Sequence, residues 1–414
     1  MRTRWLAALG LGLLTGGPAA AQALAPPVPP DPDRPTNLPP LLSVPQAPPT
    51  APRPPETVCP PCDYDPAYQY LPDRAPPGPK LSPGPCRPLG QYWFIPTLEL
   101  GWSRPAEVPP LLRVGVPDGR GGFLPGVAVF GDEHVSAPFR AGFGIAAGVW
   151  ADRCQSHGID GSFYFLGTGT TDTSTFVPGL PLVLQTLNAG TPGLFALSSP
   201  DSGIGSHEAI YETRFLTFDV NYRQNLYCES NTRVDGLLGY RYGWVHEELD
   251  LYGRRLGPTG EIVRFRDTAS TANHFHGGQV GLAAEHRVGD WFFALTPKVA
   301  FGTVFTETDL EGKFRVNGTV LPFGFYARPA VSGTREHTNF AVMPVVKLAV
   351  GRQLGEHARV FAGYTFQYLS RVTRPGDVID PVPDILGSGL GMTRDRATTG
   401  FWVQSLNAGM EWRF

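Results

Sequence analysis

The chain has 414 residues, a formal net charge of −3 and 17% charged residues, so its composition gives no electrostatic reason to expect a nucleic-acid partner. Its mean hydropathy of −0.12 matches a soluble protein, but also a transmembrane β-barrel, whose strands alternate apolar and polar residues. Of its 44 prolines, 24 fall between Pro26 and Pro88, which splits the chain into unlike parts.

Residues 1–21 are expected to be a signal peptide. Arg2 and Arg4 precede a short apolar run, Trp5 to Leu14, and Ala19-Ala20-Ala21 supplies small residues for cleavage. No later run of about 18 apolar residues occurs, so a membrane helix is not expected and only a barrel would carry the chain into a membrane. Residues 22–90 are expected to be a disordered proline-rich leader, because proline lacks an N–H and favours extended polyproline II. In an exported protein this leader would lie in the periplasm, as a spacer or in contact with peptidoglycan or a partner. Cys59-Pro60-Pro61-Cys62 within it could be a redox pair or half a zinc site. With no second C-x-x-C and no surrounding βαβ pattern, a local disulfide is the expected reading.

From residue 91 to 414 the pattern becomes one of segments of about ten residues that alternate at period two. Phe139 to Trp150 is the plainest. Phe143, Ile145 and Val149 share one face, and Arg140, Gly142, Gly144 and Gly148 share the other. Ten such segments are expected, near 92–102, 139–150, 157–167, 211–225, 232–245, 274–286, 291–305, 339–352, 359–370 and 401–414. Short joints (151–156, 226–231, 287–290, 354–358) alternate with long ones (103–138, 168–208, 246–273, 306–338, 371–398). That is the plan of an all-β, antiparallel up-and-down transmembrane barrel with its short turns in the periplasm. A hairpin around Gly126–Phe130 would raise the count to twelve. The glycines of the second segment suggest space inside. Tyr92, Trp93, Trp291, Trp412 and Phe414 at one end, and Trp102, Trp244 and Phe305 at the other, are placed for interfacial belts.

The parity of each segment puts Glu99, Arg140, Asp160, Asp219, Arg223, Asp235, Arg241, Glu285, Lys298, Lys347, Glu411 and Arg413 inside. They would line a lumen that either passes small solutes or is plugged by its own side chains. Leu406, Ala408, Met410, Trp412 and Phe414 form an amphipathic last strand of the kind that barrel-assembly machinery recognises. His246, Glu247, Glu248, Asp250, His274 and His276 flank the third long joint, where a His–carboxylate pair could activate water, or His274 and His276 could hold a metal. No G-x-S-x-G or H-E-x-x-H motif accompanies them, so an ordinary polar rim is expected, with no enzyme activity and no cofactor. Asp377 and Asp380 are a weak cation signal. Cys154 and Cys228 fall in two different short turns, and a bridge would need their Cα atoms within about 7 Å.

Several stretches resemble the outer-membrane family known as beta-barrel porin family seven. They are Tyr70–Arg74, Phe143–Asp152, Gly161–Gly167, Gly277–Leu282, Lys298–Thr303, Arg374–Asp380 and Trp402–Phe414. The resemblance spans roughly residues 65–414 and implies an outer-membrane barrel in contact with lipid. The expected function is a passive channel for small solutes. The alternatives are a non-conducting anchor or display barrel with long outer loops, or an outer-rim hydrolase.

Overall fold

The structure is a computed structural model. It describes residues 90–414 apart from 133, 136–137, 153–154, 177–179, 189–190, 230 and 384–397. The expected signal peptide and leader therefore lie outside the described residues. Ten antiparallel strands close into a ring: β1 (Tyr92–Ser103), β2 (Arg140–Trp150), β3 (His157–Thr175), β4 (Ile204–Glu229), β5 (Thr232–Leu256), β6 (Ile262–Val288), β7 (Trp291–Val316), β8 (Gly333–Gln353), β9 (Ala358–Val372) and β10 (Thr399–Arg413). Each strand pairs with its neighbours in chain order. The ring shuts where β1 meets β10, from Trp93 opposite Arg413 to Ser103 opposite Val403. Phe414 adds to this seam, donating its N–H to the Tyr92 carbonyl at 2.9 Å.

The inward and outward faces fall as the alternation requires. Leu98, Phe143, Phe218, Leu238, Val280, Phe293, Leu348 and Leu406 are exposed on the outside, whereas Glu99, Asp219, Asp235, Gln279 and Thr365 are buried within. An apolar exterior around a polar interior is stable only in lipid. A strand needs about 9–11 residues to cross a bilayer. β1 and β2, with 12 and 11 residues, are of that size, but β4 to β7 run for 25–27 residues.

Past the band the polarity inverts. On β5 the outward side changes from Leu238, Tyr240, Tyr242 and Trp244 to His246, Glu248 and Asp250, while the inward side changes from Asp235 and Arg241 to Val245, Leu249 and Leu251. On β7, Phe301 and Phe305 give way outside to Glu307, Asp309 and Glu311, with Val304 and Leu310 inside. This upper section surrounds a water-excluding core, so its outer face meets water.

The inversion corrects the expected long joints. The stretch 246–273 is mostly β5 and β6 continuing to a turn at residues 257–261, and 306–338 opens with the last eleven residues of β7. The hairpin anticipated near Gly126 exists, as Leu112–Pro117 and Phe123–Phe130, but does not enter the ring. It joins Leu182–Asn188 and Thr191–Ser198 in a separate four-stranded sheet, so the barrel has ten strands and not twelve. Leu112, Phe130, Leu182, Leu184 and Leu197 pack there with Leu249, Leu251, Phe265, Leu310, Phe325 and Tyr326. Loop segments thus form the core of the upper barrel.

Two further expectations change. Trp93 is not part of an interfacial belt: it shares the inward parity of Thr97 and Glu99, is 9% exposed and packs on Trp150 with 5.3 Å between ring centroids. The glycines of β2 mark crowding rather than space. A Cβ on Gly148 would lie 2.1 Å from the Trp93 ring, and one on Gly144 would lie 2.4 Å from the Thr97 hydroxyl. Gly148→Val is therefore expected to destabilise the barrel by about 1–3 kcal/mol through overpacking. Gly278→Ala, which meets nothing within 4 Å, should be neutral. Urea unfolding of the refolded protein in detergent checks both, and equal midpoints would contradict the assignment.

Candidate functional site

The barrel interior is layered. At the short-turn end, Arg359 spans the lumen wall, donating to Glu285 at 2.7 Å and lying 2.6 Å from Glu411, while Arg287 donates to Glu285 at 2.8 Å. Arg413 pairs with Glu411. Across from them Arg223 pairs with Asp160 at 3.0 Å, and Arg233 with Asp235 at 2.9 Å. The Arg233 guanidinium lies 4.3 Å from the Trp150 ring centroid, a stacking that its flat delocalised charge suits. One level deeper, Asp219 accepts from both Arg241 (2.9 Å) and Lys298 (2.8 Å), and Glu99 accepts from Ser405 at 2.7 Å. Between these levels is a cavity of about 260 Å³, bordered by Gly90, Gln155 and Arg287 at its outer edge and Tyr164 at depth.

Above the charges the lumen is apolar. Leu166, Phe215, Val245, Phe275, Val304, Met343, Phe401 and Val403 point inward from seven strands, each at most 1% exposed. Side chains of this size fill a barrel of about this strand number.

A lock follows. Between β9 and β10 the chain turns inward, and Arg374, 2% exposed, precedes a one-turn helix, α1 (Pro375–Val378). Arg374 forks onto Glu247 of β5 at 2.6 and 2.8 Å and donates to the Tyr211 hydroxyl at 2.9 Å and the Arg104 carbonyl at 3.1 Å. Tyr211 in turn donates to Glu247. A planar bidentate donor is what such a buried carboxylate requires. The segment is held at its start by Asn273, which donates to the Thr373 carbonyl at 2.9 Å.

All twelve sequence-selected charges lie on the inner face. Eleven belong to the charged levels. Arg140 lies apart from them near the lock, 3.4 Å from the Ser103 hydroxyl. Arg233, Arg287 and Arg359 belong with them and went unselected because they lie close to the turns, although their odd numbers match the inward parity of Asp235, Glu285 and Thr365. Leu406, Ala408, Met410 and Trp412 take the outer face of β10, and Phe414 follows, exposed.

The rim residues divide between the two faces of the wall, and on the outer one His246 lies 3.9 Å from Glu248. Glu247 points inward, whereas His246, Glu248, Asp250, His274 and His276 are on the outer face. There the Tyr242 hydroxyl and His274 Nδ1 are 2.8 Å apart, as are Tyr240 and His276 at 2.7 Å. Among the described residues no group of three His, Cys, Asp or Glu could hold a metal. Asp377 and Asp380 brace their own turn, accepting from the backbone of Arg374 and Val382. Cys228 is disulfide-bonded, and Cys154 lies outside the described residues.

Asp267 and His207 are buried ionisable groups of the upper barrel, outside the membrane-spanning band. Asp267 accepts the backbone N–H groups of Phe325, Tyr326 and Ala327 at 2.9–3.2 Å, yet burial outweighs these bonds and pushes its carboxyl up to about 6. His207, between Phe130 and Phe265, has no partner on either ring nitrogen among the described residues, and burial pushes it down to about 4. The signs are opposite. Asp267 favours its protonated form when folded, so its contribution is lost as pH rises through about 6. His207 favours its neutral form, so its contribution is lost as pH falls from its ordinary value near 6.5 toward about 4.

Asp267→Asn is expected to flatten the loss of amide protection at Phe325–Ala327 between about pH 4 and 7, after correction for intrinsic exchange. An unchanged profile by hydrogen exchange would contradict this. Arg374→Met should cost about 3–5 kcal/mol by leaving Glu247 buried and unpaired. Arg374→Met combined with Glu247→Met should cost clearly less, and equal losses in urea unfolding would dismiss the pair as an isolated lock.

Among curated proteins none matches the chain. Solved outer-membrane barrels resemble it in outline. The outer membrane protease OmpT from Escherichia coli aligns with a TM-score of 0.46 and 14% identity over 78% of this chain and 97% of that one. A Pseudomonas aeruginosa FadL homologue gives 0.24 and 8% over 78% and 90%, and the translocator domain of the autotransporter NalP from Neisseria meningitidis gives 0.23 and 11% over 78% and 88%. These likenesses are too distant to carry an argument about the site. The family model described as "Putative beta barrel porin-7 (BBP7)" matches residues 102–414, which takes in nine of the ten ring strands whole. With its lipid-compatible band and closed ten-stranded ring, the chain belongs to this family of outer-membrane β-barrels.

Proposed function

We propose that this chain is a shut outer-membrane barrel that anchors and displays, rather than a permanently open passive channel. The observation that carries this reading is the inward apolar layer of Phe215, Phe275, Met343 and Phe401, each at most 1% exposed. An ion crossing it would exchange hydration for contact with these apolar side chains, which is costly in a low-dielectric layer. The docked segment at Arg374 adds a second barrier.

In this reading the short turns face the periplasm and the upper barrel, with its four-stranded sheet, stands outside the cell, following the general plan of bacterial barrels. The proline-rich leader would extend from the short-turn end into the periplasm, where contact with peptidoglycan would tie barrel to wall. The assembly machinery would engage the outer face of β10. No catalytic step is assigned: Glu247 is held by Arg374 on the inner face of the wall, and on the outer face His246 and Glu248 are 3.9 Å apart.

Channel activity remains the second reading, favoured by the 260 Å³ cavity that reaches the apolar layer from one side. Conduction would then require the apolar side chains to part and the Arg374 segment to leave. Planar-bilayer recording of refolded mature protein separates the two. The expected result is a folded, heat-modifiable barrel without steps. Phe275→Ala with Met343→Ala and Arg374→Ala should introduce steps or flicker. Stable open steps from the wild-type protein would overturn the shut-barrel reading.

A further inference from the structure

The cavity at the short-turn end has a cation that the lock, the apolar layer and the ion-pair levels leave unused. Lys347 of β8 lines it, and among the described residues no carboxylate reaches its ammonium at ion-pair distance. The charges that act on it most strongly are those of Lys298, Asp219, Arg241 and Glu99. Asp219 is already shared between Arg241 and Lys298, and Glu99 is engaged by Ser405 and Thr97. At this level three cations, Arg241, Lys298 and Lys347, therefore face two carboxylates, an excess of one positive charge. A cation kept in such a place without a counter-charge costs free energy unless something supplies one.

The neighbours of Lys347 are suited to an anion. The strand registers put Thr296 of β7 and Thr365 of β9 directly beside it, one on each side of the same inward row. Both border the cavity. The Thr365 hydroxyl oxygen accepts from Asn407 at 3.0 Å, which leaves its proton to be donated. Ammonium between two hydroxyls offers charge plus directional donors, and a carboxylate or phosphate oxygen accepts both kinds of bond.

We propose that this cavity binds a small oxyanion, a carboxylate or a phosphate, with Lys347 as its counter-charge and Thr296 and Thr365 as hydroxyl donors. The site is reached from the short-turn end and stops below the apolar layer, so binding does not depend on whether the barrel conducts.

The test uses refolded mature protein in detergent, with heat-modifiability on gels as the folding control. Inorganic phosphate and acetate are titrated separately by calorimetry at low salt, which tells the two anion classes apart. Saturable binding of at least one is expected. Lys347→Met should weaken it by about tenfold or more, as loss of a charged hydrogen bond does, whereas Lys347→Arg should retain most of it. Lys347→Met removes a cation that has no ion-pair partner among the described residues, so it is expected to fold. Should it not, the Thr296→Val and Thr365→Val pair serves instead, with a loss of about tenfold expected. Absence of saturable binding by either anion, or unchanged affinity in the variants, would overturn the proposal.

Discussion

The structure depends on one constraint: every outward face must match the solvent it meets. In the lipid band this demands apolar residues outside, and the interior takes the charges. Above the band the solvent is water, and β4 to β7 exchange the two faces while keeping register with one another, although β4 shifts against β3 between Thr213 and Phe215. Trp244 and His246 are two residues apart on one face of β5, yet they belong to different environments. Because side chains alternate at a fixed period of two, the exchange costs the backbone nothing. It only requires that the sequence change phase at about the same height on β4 to β7, and it does so near Leu216, Trp244, His274 and Phe305, which lie opposite one another.

Everything inside follows from that exchange. Polar residues within the band have no bulk water to solvate them, so they solvate one another as guanidinium–carboxylate levels, with Trp93 and Trp150 covering two of the arginines. Apolar residues within the upper section need a core and find it in segments that enter from the loops, among them Leu112, Leu182, Phe325 and Tyr326. Where the two regimes meet, backbone and charge need specific partners. Arg374 supplies them to Glu247, and Asn273 supplies them to Thr373 by donating to its carbonyl and accepting from its N–H.

The ring and its facing were legible in the sequence because parity is a strict rule. Once Thr97 and Glu99 are taken as inward, Leu98 and Leu100 must be outward. The same rule, applied one turn further, would have put Trp93 inside and found Arg233 and Arg359. Strand length was not legible. Past Trp244 the outer face is polar, so an apolar outer face no longer marks β5 and β6 as strand, although Leu249, Leu251, Phe265 and Ala269 keep the same period on the inside. The glycines of β2 misled for a different reason. A missing side chain makes room, but sequence does not say for what, and here the tenants are Trp93 and Thr97 from the neighbouring strand. The lock was visible only as a motif, Arg374–Asp380, since the pairing of Arg374 with Glu247 links residues far apart in the chain.

The seam between β1 and β10 has a kinetic meaning. Its partners, such as Trp93 and Arg413, are separated by nearly the whole barrel sequence, whereas the other ring pairs are formed by strands adjacent in order. Closing so long a loop carries the largest entropic cost of any contact in the ring, and it cannot begin until the last residues have been made and exported. Until then the growing sheet has two bare edges, each a template for pairing with another chain. The barrel is thus committed to a late, all-at-once closure. Its most vulnerable period falls between export and the arrival of β10, when protection must come from outside the molecule.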